Sequence, residues 1–203
     1  MAVVARFVAV LILCLVILGI SNLAQKLSEP QVIVQRESAD FGPAPQFALI
    51  NEHGAPFNSA ELEGKLYVAS FFFTSCRGPC PIINANIAKL HKQFSKYPGI
   101  RFVSISVDPE TDTPDKLSDY STKFKSDDDN SWTFLTGTTE QIVQLSEQGF
   151  HVALSGNPPI HTNRAALVSP ASRILGFYDA TDTDEMKRLA KEISSLLSEA
   201  PPS

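Results

Sequence analysis

The run Leu66 to Phe73, LYVASFFF, breaks off into Thr-Ser-Cys-Arg-Gly-Pro-Cys-Pro. A stretch this short and apolar, closed by a Gly-Pro pair, predicts a strand buried on both faces. The spacing changes at once: Ile83, Ile87, Leu90 and Phe94 recur on one side of a helix. Two cysteines, Cys76 and Cys80, fall at the junction. Proline is tolerated in a helix only in its first turn, so Pro79 and Pro81 set the helix start near Pro79. Cys80 then lies in the first turn and Cys76 in the loop before it. Unpaired backbone N–H groups, the helix dipole and Arg77 all favour negative charge there. Lowering a thiol's pKa to about 7 raises its thiolate fraction from about 3% to roughly half. The thiolate is both the nucleophile and the metal ligand, so the placement serves either chemistry.

The rest of the composition limits the context. With 203 residues the chain holds one domain and an appendage. A net charge of −5, with no basic cluster, argues against a nucleic-acid partner. Phe7 to Gln25 carries no charge and is bounded by Arg6 and Lys26. At about 1.5 Å per residue that run crosses a bilayer. Asn22-Leu23-Ala24 is a poor cleavage site, so residues 1–26 are expected to remain as a single transmembrane anchor, with the short N-terminus on the cytoplasmic side. Cys14 falls inside it as an apolar residue. Residues 27–45, with Glu29-Pro30 and Gly42-Pro43-Ala44-Pro45, read as a flexible tether. Residues 46–203 form the exported domain, in a compartment where disulfides persist. No Arg-rich presequence precedes the anchor, which favours an inner membrane with the domain facing the periplasm.

Within that domain, Gln46–Asn51 and Ala55–Phe57 predict two short strands about a turn at Glu52-His53-Gly54, with a helical turn at Ser59–Leu62. Ile100–Val107 alternates as a strand, and Thr113-Pro114-Asp115 opens a helix bearing Leu117, Tyr120 and Phe124. Trp132–Leu135 predicts a strand, Thr139–Gln148 a helix and Phe150–Leu154 another short strand. Ala165–Val168 and Ile174–Tyr178 form a hairpin, and Thr183–Leu197 a helix buried through Met186, Leu189, Ile193 and Leu196. This order predicts an α/β domain with a central mixed sheet flanked by helices. His53 in its turn, His91 beside Lys89 and Lys92, and the acidic run Asp127–Asp129 are expected to be solvated. His151 is expected to pack at a strand edge.

The order of elements resembles a thioredoxin-like fold, and the motifs resemble the Sco/SenC family in particular. FFFTSCRGPCP is similar to that family's CxxxCP motif, SVDPETDTPDKLSDY to its DPExDT stretch, and IHTNRAALVSPASRILGFYDA to its histidine and closing hairpin; SWTFLTG also resembles a family segment. The resemblance runs from Gln46 to Leu197. It implies a membrane-anchored copper-binding protein that assists assembly of the CuA centre of cytochrome c oxidase. Cys76 and Cys80 match its thiolate ligands and His161 its imidazole ligand. Asp108 matches the aspartate that lies near the site. The loop before His161 is shorter than the family's and lacks its acidic residue, a departure that bears on partner choice and metal affinity.

Thiolates suit soft Cu(I), and imidazole suits both oxidation states of copper. Three ligands leave a side open for handing the ion on, unlike a closed four-ligand site. The resemblance therefore implies a metallochaperone, not an enzyme in the strict sense, whose partner is subunit II of cytochrome c oxidase or another exported copper or thiol protein. The same cysteines admit a thiol–disulfide oxidoreductase, in which Cys76 attacks and Cys80 resolves without His161. They also admit a structural disulfide. A peroxidase reading rests on Thr74, two residues before Cys76, but lacks the proline that such a site places before the threonine.

Overall fold

The computed structural model describes residues 41–126, 129–151 and 163–199, which fall within one compact unit. The expected anchor, Cys14 and His161 lie outside the described residues. Among the described residues no helix is long and apolar enough to cross a membrane.

A seven-stranded sheet carries the fold. Its strands are β1 (Ala48–Asn51), β2 (Pro56–Asn58), β3 (Leu66–Phe72), β4 (Ile100–Ser106), β5 (Trp132–Thr136), β6 (Arg164–Val168) and β7 (Ile174–Asp179), in the spatial order β2-β1-β5-β4-β3-β6-β7. The central strands β3, β4 and β5 are parallel; β1, β2, β6 and β7 add antiparallel edges. Helices α1 (Cys80–Phe94), α2 (Pro114–Ser121), α3 (Thr139–Val143) and α4 (Thr183–Glu199) complete the expected mixed-sheet α/β architecture. Parallel neighbours need crossovers, which α1 and α2 supply.

Each boundary has a local cause. Every residue of β3 is buried, as a strand flanked on both sides by others requires. Pro79 caps α1 and Pro81 stands in its first turn; Ile83, Ile87, Leu90 and Phe94 are buried. Thr113 accepts from the Lys116 N–H at the start of α2, and Thr138 with Gln141 forms a capping box on α3. Residues 41–44 pair with the closing hairpin: Phe41 N–H donates to Ile174 O, Ala44 N–H to Ser172 O, and the Phe41 ring meets Phe177 edge-on at 5.3 Å.

Several local expectations need correction. The helix after β5 is α-helical only to Val143 and continues as a π-helical segment, Gln144–Gly149. Phe150 then starts no strand. Its N–H closes on Leu145 O, and its ring is fully buried at 5.6 Å from Phe71, while His151 is exposed with φ of 52°. Residues 152–154 lie outside the described residues. His91 is buried, not solvated: its Nε2 lies 2.8 Å from Ser131 Oγ and 3.0 Å from Asp129, and its ring packs on Phe102 and Trp132. Burial lowers the pKa of His91, against the pull of the Asp129 carboxylate. Burial also opposes ionisation of Asp129, yet hydrogen bonds from Ser131, with His91 and Lys125, hold its carboxyl below the ordinary range. Asp129 is therefore a fastening point rather than a solvated side chain, while Asp127 and Asp128 lie outside the described residues.

Candidate functional site

Parallel strands end together. Phe72 stands opposite Ser106, and the Val107 N–H donates to Phe72 O at 2.8 Å. The loops that leave β3 and β4 at this edge carry Cys76 and Asp108. In open α/β sheets the carboxyl ends of the strands are where ligands bind.

The cysteine loop begins with a turn, Cys76 N–H to Phe73 O at 3.3 Å, and ends at the Pro79 cap. Cys76 is half-exposed and Cys80 fully buried; no disulfide joins them, and their thiols are hydrogen-bonded. A Cβ built on Gly78 would lie 4.0 Å from Cys76 Sγ, so the loop passes close to that thiol without crowding it. Arg77 is exposed beside it.

The expected acidification of the thiols by the helix start fails at Cys80. Burial, and then the hydrogen bond with Cys76, push the Cys80 thiol up to about 12; backbone hydrogen bonds at Phe73 and at Cys80 itself act the other way and lose. The helix terminus supplies its field, but removal from water dominates. At neutral pH Cys80 is then held as the protonated thiol. Iodoacetamide at pH 7 is therefore expected to label Cys76 and to leave Cys80 untouched in the native protein. Cys80 labelling is expected to rise only as the pH is raised well above neutral. Peptide mapping by mass spectrometry reads both, and equal labelling of the two thiols at pH 7 contradicts the assignment.

Behind Cys80 lies a buried polar pair. Asn84, one turn further along α1, donates from Nδ2 to the Tyr120 hydroxyl at 2.9 Å. Burial holds the Tyr120 hydroxyl above its ordinary range, against that hydrogen bond, and the nearby thiols of Cys80 and Cys76 and the Asp112 carboxylate add to the shift. Tyr120 stacks on Phe72 at 5.3 Å. The Asn84 Oδ1 is buried without a hydrogen-bond partner among the described residues.

Asp108 is half-buried at the end of β4; its N–H donates to Ser106 Oγ at 3.1 Å, and its carbonyl accepts from Thr111 and Asp112. The carboxylate that reaches the cysteine loop belongs to Asp112, four residues on and fully buried, which sequence reasoning passed over. Asp112 Oδ2 accepts from the Thr74 N–H at 2.9 Å and from Ser106 Oγ at 2.5 Å, and Oδ1 accepts from Thr74 Oγ1 at 2.5 Å. The Thr74 hydroxyl, the sole feature behind the peroxidase reading, is thus a donor to Asp112. Among the described residues no group of three or more His, Cys, Asp or Glu side chains is placed to hold a metal ion. What the described part of the site offers is two sulfurs at the mouth of a helix, one open to solvent and one beneath it.

Comparison with known proteins narrows the context. The profile of the SCO1/SenC family matches residues 35–198. The SCO1 protein homolog of Bacillus subtilis (strain 168) is 27% identical over 155 residues, covering 73% of this chain and 80% of the relative. The crystal structure of a SCO1/SenC family lipoprotein from Bacillus anthracis superposes with a TM-score of 0.69 at 31% identity, over 76% of this chain and 94% of that one. Arabidopsis thaliana ScoI, solved with copper bound, gives a TM-score of 0.64 at 25% identity, over 76% and 99% of the two chains.

Proposed function

The chain belongs to the SCO1/SenC family, and on that premise we propose that it is an exported, membrane-anchored copper carrier that assists the assembly of cytochrome c oxidase. Its cargo is a copper ion held by Cys76, Cys80 and His161. Its partner is the CuA domain of oxidase subunit II, and Asp108 lies near the point of transfer. The observation that carries this reading is the pair of thiols at the start of α1, not joined by a disulfide, one buried and one half-exposed. Their chemistry fits the ion, since soft thiolates select Cu(I). The ScoI relative with bound copper supports the cargo, and the family's association with oxidase assembly supports the partner. The lipoprotein relative supports a membrane-anchored, extracytoplasmic setting.

The burial of Cys80 shapes how such cargo is handled. A thiol protonated at neutral pH must lose its proton to become a ligand, so copper uptake releases it and tightens as pH rises. The ion enters and leaves on the Cys76 side, and a partner thiolate displaces Cys76 first. The same asymmetry of exposure suits thiol–disulfide exchange, with Cys76 attacking and Cys80 resolving.

Copper titration of the full-length chain, followed by metal analysis and absorption, decides between the two. One copper per chain, lost in His161→Ala, is the expected result. Absence of stoichiometric copper in the wild-type chain sinks the carrier. If His161→Ala also keeps full thiol exchange and cellular function, the oxidoreductase stands in its place.

A further inference from the structure

We propose that Asp112 is a positioning residue that fixes the cysteine loop through Thr74, and so sets how closely the two thiols are held. The inference rests on the reading of Cys76 and Cys80 as the working pair, whether or not copper is their cargo.

Asp112 is fully buried, and among the described residues no cation is paired with it. A buried carboxylate without a counter-charge is costly unless hydrogen bonds satisfy it. Here three do, and two of them come from one residue, Thr74. Thr74 stands two residues before Cys76, at the point where β3 has ended and the loop has begun. Its backbone and its hydroxyl are both held, so its position and its rotamer are fixed together. The third bond, from Ser106, ties the same carboxylate to the last residue of β4. Ser106 Oγ accepts in turn from the Asp108 N–H, and Asp112 N–H donates back to Asp108 O at 2.8 Å. One side chain thus clamps the exits of two adjacent parallel strands. The far end of the cysteine loop is fixed independently, by the Pro79 cap and by Cys80 buried in α1. Between these anchors only residues 75–78 remain to place the Cys76 sulfur.

The physical consequence is an effective concentration. Two thiols on a short segment with both ends held meet more often than on one with a loose end. The quantity is measured directly by equilibrium with glutathione. The two protein thiols give two protons and two electrons to oxidised glutathione, leaving a Cys76–Cys80 disulfide and two molecules of reduced glutathione. The equilibrium constant, in molar units, is the effective concentration of one thiol at the other.

The test uses the full chain in detergent with a copper chelator present, so it reads the loop whether or not the carrier reading holds. Thr74→Val deletes the hydroxyl donor and Asp112→Ala deletes the acceptor; each is expected to lower the glutathione equilibrium constant about tenfold, which is about 30 mV. Thr74→Ser restores the hydroxyl, and Asp112→Asn can still accept from the Thr74 N–H while its amide donates to Thr74 Oγ1. Both are expected to stay within about threefold of wild type. Ile193→Val, a core change in α4 away from the site, controls for stability and is expected to lower the melting temperature without moving the constant. Should Asp112→Ala fail to fold, Thr74→Val still decides the matter. A constant unchanged in Thr74→Val, or one that falls as far in Thr74→Ser, overturns the proposal. So does a drop in Ile193→Val equal to that in the loop variants.

Discussion

Cys80→Ser is expected to abolish copper binding, weakening it by about a thousandfold or more while leaving the fold in place. The substitution is nearly isosteric, and Cys80 lies fully buried in the first turn of α1, so a serine hydroxyl occupies the same place. What changes is the donor. A soft sulfur that can ionise becomes a hard oxygen that does not, and copper in its Cu(I) form prefers thiolate. Cys76→Ser is expected to cost as much in affinity and to differ in kinetics. Because Cys76 is the half-exposed sulfur, its loss is also expected to slow exchange of the ion with a competing thiol. His161→Ala retains both sulfurs, and its loss of copper is expected to be smaller for Cu(I) than for Cu(II), which imidazole helps to stabilise. Competition titrations with a chromophoric Cu(I) chelator measure all three variants. Circular dichroism checks that each is folded. A Cys80→Ser protein that binds Cu(I) as tightly as wild type refutes the two-thiolate site.

Much of this site is legible in the sequence because it follows from local rules. Pro79 and Pro81 mark a helix start wherever they occur, and the apolar run of β3 needs no knowledge of its neighbours. The parts that escape local reading depend on partners far along the chain. Asp112 and Asp108 sit in the same acidic stretch, and only the parallel pairing of β3 with β4 shows which carboxylate meets Thr74. The helix start promises an acidic thiol at Cys80, and burial, which is a tertiary property, reverses the promise. His91 did leave a local signal. It stands four residues after Ile87, on the edge of the buried stripe, so its spacing points inward even though Lys89 and Lys92 flank it. Phe150 left none: a short apolar run is ambiguous between strand and helix until something packs against it.

The largest effect on stability is expected away from the site, at an ion pair that the sequence conceals. Glu52 lies in the turn after β1, where a carboxylate is ordinarily solvated, yet its side chain and that of Lys125 are each 2% exposed. Their charged atoms are 2.8 Å apart. Glu52 Oε2 also accepts from the Phe134 N–H at 3.0 Å, and Lys125 Nζ donates to Asp129 O at 3.0 Å. The pair thus binds the segment after α2 to β5 and to the β1–β2 turn, and Asp129 carries the connection on to His91 in α1. Removing one partner strands the other charge in the interior. Glu52→Gln and Lys125→Met are each expected to cost about 3–5 kcal/mol. For a domain of this size that lowers the melting temperature by roughly 6–20 °C. The double variant, with no charge left to strand, is expected to recover much of the loss, because a buried pair contributes little net stability over apolar groups of similar volume. Thermal unfolding of the three variants at pH 7 checks this. Single substitutions that each shift the transition by less than about 2 °C, or a double variant as unstable as the sum of the two, show that the pair is not the buried, mutually dependent unit its geometry describes.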